Sequence, residues 1–90
     1  MLEGKVKIVN PLGLHARAAA QLVRLAGSFN SSIKLRRTDN GVTADAKSIL
    51  SVLTLAAAKG VELELKVEGA DETEAFESIE KRFADGFGEI

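Results

Sequence analysis

Residues 61–67 read VELELKV. Val61, Leu63, Leu65 and Val67 alternate with Glu62, Glu64 and Lys66. In an extended strand, neighbouring side chains leave on opposite sides, so this segment has one apolar face and one charged face. Such a strand needs cover on one side and water on the other. Two further stretches repeat the pattern: Lys5–Val9, with Val6 and Ile8 against Lys5 and Lys7, and Ile33–Arg37, with Ile33 and Leu35 on one side. Val42, Ala44 and Ala46 then alternate just after Asp39-Asn40-Gly41, and Asn-Gly is a strong hairpin signal. These strands predict a largely antiparallel sheet with helices on one face only.

The segments between them carry helical spacing. Ala16–Ala26 places Ala19, Leu22, Val23 and Ala26 on one stripe, and Gly27 is a natural stop. Ser48–Ala58 turns helical, at least in part, and ends near Gly60. Asp71 is a good N-cap for a last helix, with Glu74 three residues on as in a capping box. Phe76, Ile79 and Phe83 form its apolar stripe, and Gly86 can end it. The order is β-α-β-β-α-β-α, an α+β domain spanning residues 1–90.

Stability must come from packing. The chain has 90 residues, no cysteine and a single histidine, which leaves no disulfide and no cluster of zinc ligands. Apolar residues make up 46% of it, enough for one core, and with four Phe as the only aromatics that core is mainly aliphatic. No apolar run is long enough to span a membrane, and MLEGKVKIV is too short and too charged for a signal peptide. The expectation is a cytoplasmic protein without membrane contact. A net charge of −1 argues against general nucleic-acid binding, and the strands offer no aromatic for stacking on bases. The charge is uneven: residues 1–67 hold ten Lys/Arg against five Asp/Glu, and residues 68–90 hold two against eight. The acidic end reads as a solvated helix face, and the remainder offers a mildly basic surface to phosphate or to an acidic partner.

The single histidine stands where a loop becomes a helix, in NPLGLHARAAAQLV. If that helix starts at Ala16, the N–H groups of Ala16, Arg17 and Ala18 have no carbonyl partner within the helix. They and the positive end of the helix dipole favour a phosphate beside His15. The same field favours the neutral imidazole, which keeps a ring nitrogen available as a nucleophile. Arg17 can offer several donors to phosphoryl oxygens. Arg24 shares its helix face, although two arginines there are equally a solvated polar face. There is no phosphate-binding glycine loop, no dinucleotide fingerprint and no cluster of metal ligands, so neither cofactor nor metal is expected. A histidine that accepts and donates a phosphoryl group needs no deep pocket, only exposure and partners.

These residues resemble HPr, the histidine-containing phosphocarrier family of the bacterial phosphoenolpyruvate:sugar phosphotransferase system. LGLHARAAAQLV is similar to its phosphorylation-site motif, ADAKSILSVLTLAAAKG to its second motif, and VEGADETEAFESI to the lead into its last helix. NPLGLHAR and the ending ADGFGEI resemble the nitrogen-related branch, NPr. The resemblance implies an open-faced β-sandwich, with strand order 1-4-2-3 and three helices on one face. It implies a monomer whose His15 is phosphorylated at Nδ1 by enzyme I and passes the group to a histidine of an enzyme IIA. Arg17 matches the arginine beside the phosphate. Ser48 matches the serine modified by HPr kinase/phosphorylase, while its position at a helix start is equally that of an N-cap. Ile49, Leu50 and Leu53 match the apolar patch that partners grip, with Leu14 near it and Arg24 on the basic side. The alternative reading is a regulatory binding protein controlled through Ser48 or His15. Most relatives carry proline where this chain has Ala18; alanine restores one more N–H to the first turn.

Overall fold

The computed structural model describes residues 1–89. Its strands are β1 (Leu2–Lys7), β2 (Ser32–Arg37), β3 (Thr43–Asp45) and β4 (Glu62–Glu68), and its helices are α1 (Ala16–Gly27), α2 (Ile49–Thr54) and α3 (Glu72–Ala84). The strands form one antiparallel sheet in the order β1-β4-β2-β3. The segment with the sharpest alternation, β4, is therefore central, with β1 on one side and β2 on the other.

One sheet face and the helices enclose the core. Val6, Ile33, Leu35, Ala44, Leu63, Leu65 and Val67 are buried beneath Ala18, Ala19, Leu22 and Ala26 of α1, Val52 of α2, and Ala75, Ile79 and Phe83 of α3. The other face carries the charges. The register sets Lys5 opposite Glu64, Lys7 opposite Glu62 and Arg36 opposite Glu64. Lys66 lies 3.6 Å from both Glu3 and Glu64, and Lys34 lies 3.5 Å from Asp45. Such wet ion pairs keep the face soluble and add little stability. Within the described residues no helix is long and apolar enough to cross a membrane.

Several boundaries differ from the sequence expectation. Strand β1 begins at Leu2, because Leu2, Gly4 and Val6 continue its apolar side and the ring of Phe76 lies over Gly4. It ends at Lys7, yet the ladder continues through Ile8 N–H to the Val61 carbonyl and Gly60 N–H to the Ile8 carbonyl. On α1 Ala18 is fully buried along with Ala19, Leu22 and Ala26, whereas Val23 is only partly covered. Phe76 is likewise partly covered. Helix α2 stops well before Gly60: Ala56 takes a φ of +48°, and the Arg37 guanidinium donates to the carbonyls of Leu55 and Ala56. A cation on the last carbonyls suits the negative helix end. Asp71 precedes α3 but makes no side-chain cap bond to it. Its carboxylate accepts instead from Asn30 N–H, Ser31 N–H and the Ser31 hydroxyl, tying the start of α3 to the segment entering β2. Those bonds, the Ser31 hydroxyl first, hold the Asp71 carboxyl below its usual range. Glu72, not Glu74, reaches back, accepting from Gly69 N–H at 3.1 Å.

Candidate functional site

Three separated segments meet around His15. The first is the loop that leaves β1. Gly13 has a φ of +67°, and a Cβ there would run into the Ala57 carbonyl and lie 2.9 Å from the Ala58 Cα. Glycine is needed both for the turn and for this close approach. Leu14 N–H then donates to the Ala57 carbonyl at 2.9 Å, and the Leu14 side chain is buried. Leu14 therefore anchors the loop in the core and is not available as a partner-facing residue, contrary to the sequence expectation. The chain emerges at His15 in an extended conformation and enters α1.

The second segment is the first turn of α1. The His15 ring is its N-cap: Nδ1 accepts from Arg17 N–H at 3.3 Å, and the His15 carbonyl accepts from Ala19 N–H at 2.8 Å. A backbone N–H can only donate, so Nδ1 presents its lone pair to the helix start, as in the neutral Nε2–H tautomer. Ala16 and Arg17 are exposed, while the Ala18 methyl is buried and contributes only through its backbone.

The third segment comes from the other end of the chain. After α3, Gly86, Phe87 and Gly88 take positive φ of 63°, 55° and 77°. The two glycines suit this left-handed turn, and Phe87 adopts it while buried edge-on against Phe83, with ring centroids 5.1 Å apart. The turn delivers Glu89 to the site. Glu89 Oε2 lies 2.5 Å from His15 Nε2, and Oε1 accepts from Asn10 Nδ2 at 3.1 Å. Asn10 is fully buried and also donates to the Gly13 carbonyl at 2.8 Å. Two acceptors face this one amide end, which fixes its orientation. The bonds from His15 and Asn10 hold the Glu89 carboxyl below the usual carboxylate range.

The result is an open depression lined by Pro11, Leu12, His15, Ala16, Arg17, Gly88 and Glu89. It brings together a half-buried imidazole with both nitrogens oriented, Arg17, Glu89 and the start of α1. Arg24 lies farther along α1, beside Gln21, Leu25, Ser28 and Arg82, and does not line it. Ser48 caps α2, its hydroxyl accepting from Ser51 N–H at 3.3 Å. Beside it Ile49, Leu50 and Leu53 are exposed, Leu50 most of all at 74%. Asn10 and Glu89 were not expected from the sequence. No periodicity links two residues 79 positions apart; the only hint was the ending GFGE, a carboxylate behind two glycines.

Residues 2–85 match the family model described as the PTS HPr component phosphorylation site. The chain belongs to the HPr family. The phosphocarrier protein HPr of Cupriavidus necator is 47% identical over 89 residues, covering 99% of this chain and 98% of that protein. That of Treponema pallidum is 44% identical over 89 residues, with 99% of each covered. Among solved structures, HPr from Thermoanaerobacter tengcongensis superposes with a TM-score of 0.92 at 36% identity, covering 100% of this chain and 99% of that one. The HPr strand order and the three helices expected from the resemblance are those found here. Membership in HPr makes this chain a phosphocarrier of the phosphotransferase system.

Proposed function

We propose that this chain, acting as one domain in the cytoplasm, carries a phosphoryl group on His15 from phospho-enzyme I to a histidine of an enzyme IIA. Nδ1 attacks the phosphorus of the charged donor. The new N–P bond forms as the donor's P–N bond breaks, and the electron pair of that bond returns to the donor nitrogen. Transfer to the acceptor repeats the exchange with the roles reversed. The observation that supports this reading best is the Arg17 N–H donated to His15 Nδ1. It leaves Nδ1 unprotonated and at the mouth of α1. A phosphoryl group attached there displaces the Arg17 N–H from Nδ1 and has that group, the N–H groups of Ala16 and Ala18 and the Arg17 guanidinium as donors for its oxygens. Incubation with phosphoenolpyruvate and a cognate enzyme I should add one acid-labile, base-stable phosphate. A His15→Ala variant that still gains an acid-labile phosphate defeats the proposal.

A regulatory reading is favoured by a different observation. The Ser48 hydroxyl lies beside Ile49, Leu50 and Leu53, which are exposed large apolar residues. In this reading a kinase of the HPr kinase/phosphorylase type adds about −1.5 to −2 charges at the edge of an apolar contact surface. The modified form then has a different set of partners. Treatment with such a kinase and ATP, followed by mapping of an acid-stable phosphate, tests it.

A further inference from the structure

We propose that Glu89 is a positioning residue for His15: it holds the imidazole in the Nε2–H tautomer and offsets the positive charge the ring acquires while phosphorylated. The inference rests on the reading of His15 as the phosphoryl acceptor and adds a residue that reading does not need.

The geometry carries it. Both carboxylate oxygens are committed, Oε2 to His15 Nε2 at 2.5 Å and Oε1 to Asn10 Nδ2 at 3.1 Å. Asn10 is fully buried and its amide also holds the Gly13 carbonyl, so the loop before His15, the ring and the chain end form one network. The contact is not that of a loose tail. Gly86 and Gly88 take their positive φ freely, but Phe87 between them does so at a cost, which its burial against Phe83 offsets. A backbone conformation that costs energy is maintained here, and its effect is to bring one carboxylate to the imidazole. The Glu89 side chain is only 15% exposed, against 29% for His15, so water screens the pair incompletely.

The chemistry follows from the two nitrogens. With Nε2 bearing hydrogen and donating to Glu89, the lone pair is confined to Nδ1. When Nδ1 forms the bond to phosphorus, the ring keeps its Nε2–H and becomes cationic. Glu89 balances that charge without taking the proton, the role a carboxylate plays behind a catalytic histidine. When the phosphoryl group departs, the N–P electron pair returns to Nδ1 and the ring is neutral again. Arg17 is the other charged residue lining the depression.

The test compares the full-length chain with Glu89→Ala and Glu89→Gln, the second being close in size should alanine loosen the chain end. Two quantities are read: the nitrogen-15 shifts of the His15 ring in the neutral form, and the rate of His15 phosphorylation with phosphoenolpyruvate and enzyme I. In the wild type the shifts should report Nε2–H. Glu89→Ala should move them toward a mixture of tautomers and slow the maximal rate by roughly ten- to a hundredfold, the usual effect of losing an orienting partner, with little change in the KM for enzyme I. A Glu89→Ala rate equal to wild type overturns the proposal. So does a slower rate with unaltered ring shifts, which would place Glu89's effect somewhere other than the ring. If wild type itself takes no phosphate on Nδ1, the phosphocarrier reading fails as well, and that failure is distinguishable because it precedes any substitution.

Discussion

At the start of α1, the His15 ring accepts an N–H from two residues ahead at 3.3 Å; at the start of α2, the Ser48 hydroxyl accepts one from three residues ahead at 3.3 Å. Both caps leave the preceding backbone extended. The surroundings separate them. The imidazole has a second nitrogen, and the fold brings Glu89 to it from the far end of the chain. The helix behind it runs twelve residues, and its first turn carries Arg17. Ser48 stands before a helix of six residues, between exposed Lys47 and exposed Ile49 and Leu50, with no acidic residue in the helix's first turn and no basic residue in its last. A cap becomes a chemical site only when distant parts of the chain add charge and orientation to it. Otherwise it remains a helix start beside a surface.

Removing the charge unique to the first start should have the largest effect. Arg17 is exposed and lies off the buried stripe of α1, so Arg17→Ala should fold normally. Phosphotransfer to and from His15 should slow by about ten- to a hundredfold, the loss expected for a charge-assisted contact to the transferring group. Unchanged transfer kinetics would reduce Arg17 to a solvated side chain and weaken the contrast.

Adding a charge to the second start should have a smaller effect. Aspartate caps a helix as well as serine does, so Ser48→Asp changes charge with little change of fold. If enzyme I meets this mildly basic carrier with an acidic surface, loading of His15 should slow several-fold at low salt. The effect should shrink as salt screens the charge, because it acts on association. Equal rates at low ionic strength would leave Ser48 as a cap alone.

The cap itself is tested by Ser48→Ala, which should cost about 0.5–2 kcal/mol in urea unfolding while leaving His15 phosphorylation intact. No change in the midpoint would mean that the 3.3 Å bond contributes nothing and that only the neighbouring apolar residues matter.

The start of α3 sharpens the comparison from outside, since its acidic residue spends its carboxylate on another segment. Asp71 is held ionised by Ser31 and Asn30, so its native pKa lies below its unfolded value of about 3.9. The stability it contributes is present above that value and is lost as the pH falls through the lower native pKa. Asp71→Asn should lower the thermal midpoint at neutral pH by several degrees and flatten its decline on acidification. The same decline in both proteins would show that this latch is not what acid breaks.

The strands were readable because each has one wet face, so alternation in sequence maps directly onto burial. The buried stripes of α1 and α3 were readable for the related reason that they recur every turn. Where an element ends was less visible. Helix α2 ends at Thr54, and beyond it Ala56, a residue with no tendency toward positive φ, takes one where Arg37 of β2 holds the carbonyls of Leu55 and Ala56. Asp71 looked like a cap and is a latch, since Ser31 competes for its oxygens across the fold. At the site, the helix start that sets Arg17 two residues after His15 was readable locally. Leu14 did not reveal its burial, which depends on docking against Ala57. Asn10 left no pattern and Glu89 only the GFGE ending, because what defines them is a contact across 79 positions.

That closure between the ends bears on how the protein acquires its chemistry during folding. The His15–Glu89 pair spans 74 positions, and β1 finds its partner only in β4. Closing contacts of such long separation costs chain entropy before the contacts reward it. During synthesis the histidine emerges 74 positions before the carboxylate opposite it. Until the Gly86–Gly88 turn has docked, Nε2 of that ring lacks its carboxylate partner.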